Sequence, residues 1–285
     1  MTKGLLLCTD MDRTLLPNGR QPESPQAREL FHQLVSREEV TLAYVTGRHR
    51  ALVEDAIDEY RLPLPDFVIC DVGTTIYEAH RYSWEPLEDW QSEIAPDWAG
   101  YDHLRLATMF RSLDGLELQE AEKQNNFKLS YYVSLNSDAS GMMDKMKDIL
   151  HAEGIKASLV WSVDELRGSG LLDVLPASAT KFHAVEFLRN RLGYKNEQTL
   201  FAGDSGNDMQ VLTSSIPSVL VANAAADVRQ QAVTDAQKSG NRDALYLAKG
   251  DYQGMNGNYS AGIIEGVAHY LPESKAWLNG NARHE

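Results

Sequence analysis

Asp10 and Asp12, two carboxylates one residue apart, close the short apolar run Leu5-Leu6-Leu7-Cys8. Acids so close repel when both ionise, unless a cation sits between them or one keeps a proton. The first arrangement is a metal site. The second is a nucleophile beside a general acid. Asp also opens turns, so the pair by itself leaves that plainer role open.

Three further groups have the same character. Thr46-Gly47-Arg48 follows the apolar run Val40 to Val45. A hydroxyl, a close-approach glycine and a guanidinium suit a tetrahedral anion; Thr46 as the N-cap of a following helix is the alternative. Gly203-Asp204-Ser205-Gly206-Asn207-Asp208 ends the run Thr199 to Gly203, again with acids at a strand's end. The same acids would also serve as a cap and a first-turn charge. Lys181 opens the helical pattern Thr180 to Leu192, where the macrodipole disfavours a cation by a few tenths of a kcal/mol. A bound anion or a neighbouring acid would account for it.

These groups need elements to hold them. Leu5 to Leu7, Val40 to Val45 and Phe67 to Cys70 read as strands buried on both faces, with helices near Gln26 to Ser36 and Ala51 to Tyr60 between them. That alternation predicts a doubly wound α/β fold, whose ligands bind beyond the carboxyl ends of its strands. The texture changes near Ala79. Trp84, Trp90 and Trp98 crowd one window, and they read as packing rather than as a sugar platform. From Phe127 to Leu135 apolar and polar residues alternate, predicting a half-buried antiparallel strand with Asn125, Lys128 and Tyr132 on or beside its polar face. A helix from Met142 to Glu153 and a strand at Ala157 to Trp161 follow. The expected organisation is therefore a core of residues 1–79 and 173–285 with an inserted α+β module at 80–172. Strands at Ser218 to Ala222 and Ala244 to Ala248, and a helix from Ser260 to Tyr270, complete the core. The tail from Pro272 reads as polar and disordered.

The formal net charge of −14 argues against nucleic acid as a partner and would repel an anionic substrate, unless a divalent cation and a few placed bases reverse the field locally. No apolar run reaches membrane-spanning length, and the N-terminus carries no signal-peptide pattern. Cys8 and Cys70 end buried strands, which points to free thiols in a reducing, cytoplasmic compartment.

Taken in order, Asp10-x-Asp12-x-Thr14, Thr46-Gly47-Arg48, Lys181 and Gly203-Asp204-Ser205-x-Asn207-Asp208 resemble the haloacid dehalogenase (HAD) superfamily, and the position of the insert resembles its type-II cap subclass. Asn126 to Tyr131, Asp173-Val174-Leu175-Pro176 and Ser260 to Glu265 are similar to the sucrose-phosphate phosphatase group. Three residues depart from that group's pattern: Arg13 between Asp12 and Thr14, Phe182 after the lysine, and Leu171 near Asp173.

The resemblance implies a HAD-like core with a cap, acting as a Mg²⁺-dependent phosphatase on a phosphorylated disaccharide, sucrose 6-phosphate first. Asp10 would be the nucleophile and Asp12 the acid and base. Asp10, the Asp12 carbonyl and Asp204 would hold the metal, with Asp208 near it through water or by orienting Lys181. Thr46, Gly47 and Lys181 would bind phosphate, with Asn207 also at the substrate and Arg48 on phosphate or sugar. Asn125, Lys128 and Asp173 would meet the sugar. The expected partners are a sugar phosphate and a sucrose-phosphate synthase, and the expected state is a monomer. A phosphatase of mannosylfructose phosphate or glucosylglycerol phosphate, a sugar phosphomutase and a silent sugar-phosphate-binding subunit stand as alternatives.

Overall fold

The computed structural model describes residues 4–164 and 167–278. β1 (Leu5–Thr9), β2 (Val40–Val45) and β3 (Phe67–Cys70) form parallel neighbours, as their continuous apolar runs require. Helices α1 (Ala27–Val35) and α2 (Arg50–Tyr60) make the crossovers. On the other side of β1 lie β10 (Thr199–Gly203), β11 (Ser218–Leu220) and β12 (Leu245–Leu247), each parallel to the last. The full order is β12-β11-β10-β1-β2-β3-β4-β5, where β4 (Thr75–His80) and β5 (Ser83–Pro86) are antiparallel additions. Strand order reverses between β1 and β10, and the crevice at such a switch point is where open α/β sheets bind ligands.

Every residue of β1 is buried, because its two faces meet separate apolar layers. Leu5 and Leu7 join Phe31 and Leu34 of α1 and Ile263 and Ile264 of α9 (Ser260–Tyr270). Leu6 and Cys8 join Val185 and Leu188 of α6 (Lys181–Leu192) on the opposite face. Each such buried leucine contributes roughly 1.5–3 kcal/mol, so the strand that carries Asp10 is firmly seated.

A second, antiparallel sheet has the order β6-β7-β9-β8, built from β6 (Leu116–Leu118), β7 (Leu129–Ser134), β8 (Ala157–Asp164) and β9 (Ser169–Pro176). Helices α4 (His103–Met109) and α5 (Ala139–Ala152) cover it, with Trp98, Phe110 and Met146 in its core. Both expected seams are displaced. The large sheet runs on past residue 80 through Pro86, and α3 (Glu88–Ile94) still packs Trp90 and Ile94 under it. At the other end β9 carries the small sheet to Pro176, where Pro176 still registers with Ala157. At both seams the change of texture precedes the change of sheet, because an antiparallel edge looks alike in either one.

Two other expectations are corrected. β7 is buried on both faces except for Ser134, not half-buried. The segment preceding it folds over the polar side: Gln124 exchanges hydrogen bonds with Ser130, and Tyr132 donates to Glu120 and accepts from Lys123. The tail is ordered as far as described: α10 (Ser274–Leu278) buries Ser274 and Leu278, the latter in the α1–α9 layer. Residues 279–285 of that tail lie outside the described chain. The tryptophans Trp84, Trp90 and Trp98 are all buried in packing.

Candidate active site

The carboxyl ends of β1, β2 and β10 bring the sequence motifs together. Asp10 leaves β1 with its backbone N–H on the Ala202 carbonyl at 2.9 Å, which ties it to β10. Lys181 is the first residue of α6, and its ammonium lies 2.8 Å from Asp10 Oδ1 and 2.7 Å from Asp208 Oδ1. All three side chains are buried. The cation that broke the helix-dipole rule is therefore held by two acids. Asp208 Oδ2 accepts from the amides of Asp204 and Ser205 at 3.1 and 3.2 Å, so both of its oxygens are engaged and it aims Lys181. Thr14 Oγ1 bridges Asp10 and Asp204 at 3.3 and 3.5 Å.

Asp10, Asp204 and Asp208 offer oxygens within 4.8 Å of one another. Burial, reinforced by the neighbouring acids against the pull of Lys181, pushes the Asp10 carboxyl up to about 7. Burial and Asp208 push Asp204 up to about 6. Three buried carboxylates with one buried ammonium are short of positive charge. An all-oxygen donor set with that deficit fits a hard divalent cation such as Mg²⁺.

Asp12 behaves differently. Burial raises its carboxyl, but the guanidinium of Arg48 and the amide of Asn18 outweigh burial and hold it below the usual carboxylate range. Arg48 grips it with Nε and Nη2, and Asn18 Nδ2 donates at 2.7 Å. Thr46 is buried and its Oγ1 accepts from the Arg48 amide at 3.1 Å, which shapes the turn around exposed Gly47. Asn207 is exposed and accepts from Ser205 Oγ at 2.8 Å.

The small-sheet residues do not lie on a solvated face. Lys128 Nζ pairs with Asp71 Oδ1 at 2.8 Å, and Asn125 Nδ2 donates to Asp71 Oδ2 at 3.2 Å. Asp173 accepts from Ser130 Oγ at 2.5 Å and helps hold Lys128 protonated. Sequence reasoning missed Asp71, Asn18 and the ion pair of Arg13 Nε with Asp204 Oδ2 at 3.2 Å. Asp71 was within reach of the strand-end rule, since it follows β3 as Asp10 follows β1. The other two needed the fold.

A doubly wound sheet whose switch point gathers these acids around one lysine defines a HAD-type hydrolase, a phosphatase. Over residues 3–271 the chain matches the sucrose-6F-phosphate phosphohydrolase family, and it belongs to that family. A Nitrosococcus oceani protein described only as HAD-like is 50% identical over 278 residues, 98% of this chain and 75% of that one. The mannosylfructose-phosphate phosphatase of Agrobacterium fabrum is 28% identical over 269 residues, 93% of this chain and 96% of that enzyme. The sucrose-phosphatase of Synechocystis sp. PCC6803, solved with sucrose and phosphate, is 25% identical, with a TM-score of 0.69 over 94% of this chain and 98% of that one.

Proposed function

We propose that the chain hydrolyses sucrose 6-phosphate to sucrose and phosphate through an aspartyl-phosphate on Asp10. The observation that carries this reading is Lys181, seated between Asp10 and Asp208 beside Asp204 at the β1–β10 seam. Phosphoryl transfer asks little of a protein beyond position and counter-charge, and this group supplies both.

An Asp10 oxygen attacks phosphorus as the bond from phosphorus to the sugar oxygen breaks, and Asp12 gives that oxygen its proton. Asp12 then takes a proton from the water that attacks the aspartyl-phosphate, releasing phosphate and restoring Asp10. For the first step Asp12 must be protonated, so Arg48 has to leave it; phosphate oxygens arriving beside Thr46 and Gly47 are the competing acceptors. Lys181 neutralises charge on the transferring group. Asp10, the Asp12 carbonyl and Asp204 would hold Mg²⁺, with Asp208 beside them; when bound, it supplies Lewis-acid charge to the phosphoryl oxygens. The small sheet acts as a cap, offering Asn125, Lys128 and Asp173 to sugar hydroxyls, with Asn207 at the substrate side of the core. The chain works as a cytoplasmic monomer and receives its substrate from a sucrose-phosphate synthase.

The full-length match to a mannosylfructose-phosphate phosphatase supports a second reading, in which the sugar is a different glycosyl phosphate. Phosphate release from sucrose 6-phosphate, mannosylfructose phosphate, glucosylglycerol phosphate and hexose phosphates, with Mg²⁺ and then with EDTA, separates the two. A preference for sucrose 6-phosphate of about 100-fold, about 2.7 kcal/mol at the transition state, supports the first. A flat profile overturns it. Asp10→Asn abolishes turnover with the fold intact; activity within about tenfold of wild type removes the nucleophile assignment.

A further inference from the structure

Asp71 stands at the carboxyl end of β3, on the same rim as Asp10, Thr46 and Asp204, and takes no part in the steps above. Its side chain is buried, as is that of its partner Lys128, and the pair joins the two sheets. Asn125 reaches the same turn three times, through Asp71 Oδ2 and the hydroxyls of Thr74 and Thr75 at 3.2, 3.3 and 3.4 Å.

The turn itself is strained. Asp71 (φ 52°) and Val72 (φ 60°) are both left-handed, and a β-branched residue rarely tolerates that. Such outliers persist only where their surroundings over-determine them. Here the Asp71 amide donates to the Arg48 carbonyl at 3.0 Å and the Val72 amide to the Thr46 carbonyl at 3.1 Å. Trp90 Nε1 donates to the Gly73 carbonyl at 3.0 Å. A Cβ on Gly73 would lie 2.6 Å from the Thr180 carbonyl oxygen and 3.0 Å from the Lys181 amide. The turn is thus bonded to the Thr46–Arg48 loop, pressed against the start of α6, and tied by its side chain to the cap.

Resting on the sugar-phosphatase reading, we propose that Asp71 is a specificity-determining positioning residue that sets Lys128 and Asn125 of the cap in register with the phosphate-binding loop of the core. A buried ammonium on a flexible stem needs a fixed counter-charge to hold one direction. Asp173 is the other acid facing Lys128. Without Asp71 the ammonium turns toward Asp173 and the cap loses its alignment on the Thr46–Arg48 loop. The ligand class that fits this group is an uncharged polyhydroxylated moiety, since it presents acceptors and donors side by side. Binding energy from such a remote group is useful only if it arrives in register with the reacting phosphate.

The test compares the sugar phosphate that the wild type prefers with p-nitrophenyl phosphate, which has the phosphate but no sugar. Asp71→Asn keeps the shape and suits a left-handed residue. It should lower kcat/KM for the sugar phosphate at least 30-fold, chiefly through KM, with a loss at least tenfold smaller for p-nitrophenyl phosphate. Lys128→Met should show the same selectivity, and adding Asp71→Asn to it should cost less than a further threefold. Equal losses on both substrates, full additivity, or no loss at all overturn the proposal. If Asp71→Asn alone is insoluble, Lys128→Met and the double variant, which removes both charges together, carry the comparison. A wild type without any sugar-phosphate preference overturns the sugar-phosphatase reading itself. A wild-type preference that Asp71→Asn leaves intact overturns only the role of Asp71.

Discussion

Arg48 clasps Asp12 with two nitrogens, Nε 2.8 Å from Oδ2 and Nη2 2.7 Å from Oδ1. The pair is partly open to solvent, with side chains 24% and 43% exposed, so it adds about 1 kcal/mol of stability at most. Its effect is on protonation. Burial raises the Asp12 carboxyl, yet Arg48 holds it below the ordinary range. Arg48→Met should therefore let Asp12 keep its proton to higher pH in the free enzyme, moving the alkaline limb of the kcat/KM profile upward while the melting temperature changes little. It should also lower kcat/KM about 10- to 100-fold through lost phosphate binding. An unmoved pH profile would separate Arg48 from the titration of Asp12.

Lys181 is paired in a different regime, because it, Asp10 and Asp208 are all buried. Breaking a buried pair by removing one partner costs about 3–5 kcal/mol, far more than the few tenths that the helix dipole takes back. Lys181→Met should show that loss in urea unfolding and lower kcat about 100-fold or more. Asp208→Asn keeps the shape and one acceptor but frees the ammonium, and a kcat within twofold of wild type would end its role in aiming Lys181.

How far these relationships could be read from the sequence depends on their range. Strand ends were legible because an apolar run stopping at Asp10, Thr46 or Asp204 is a local pattern, and the parallel sheet then dictates that such ends share a rim. Lys181 was legible because it broke a local rule at a helix start. The seams of the small-sheet module were not, since β5 and β9 differ little in texture between one antiparallel partner and another. The polar face of β7 misled for a related reason. Alternation reports which way residues point, but not that Gln124 and Asp173 close over Ser130. The Asp71–Lys128 pair joins residues 57 apart in the chain and needed the docked sheets to appear.

Arg13 combines strain with a misplaced charge. Its φ of 56° is left-handed, which costs a non-glycine residue about 1–2 kcal/mol, and its guanidinium pairs with Asp204, an expected metal ligand. The Arg13 side chain is 58% exposed, so the pair itself adds little stability. Arg13→Gly should leave stability unchanged or raise it by about 0.5–1 kcal/mol. It should also tighten Mg²⁺ binding several-fold, read by titrating the metal against the melting temperature. Weaker Mg²⁺ binding in that variant would mean that Arg13 orients Asp204 rather than competing for it.

Without metal, Asp10 and Asp204 keep their protons to about 7 and about 6, against an ordinary aspartate value of 3.8. In that interval the folded chain binds protons that the unfolded chain has already released. The contribution of these two groups to stability therefore falls as pH rises from about 4 to about 7, because a raised carboxyl favours folding only while it stays protonated. A divalent cation at the cluster replaces those protons, and its stabilising effect grows as they leave. Melting temperatures taken from pH 5 to pH 8 in EDTA and again in Mg²⁺ isolate the effect, because the other acids of this chain contribute equally to both series. The gap between the two curves should be small at pH 5 and widest above pH 7. A constant gap would mean that Mg²⁺ binds away from Asp10 and Asp204, and no gap at any pH would remove the metal from the site altogether.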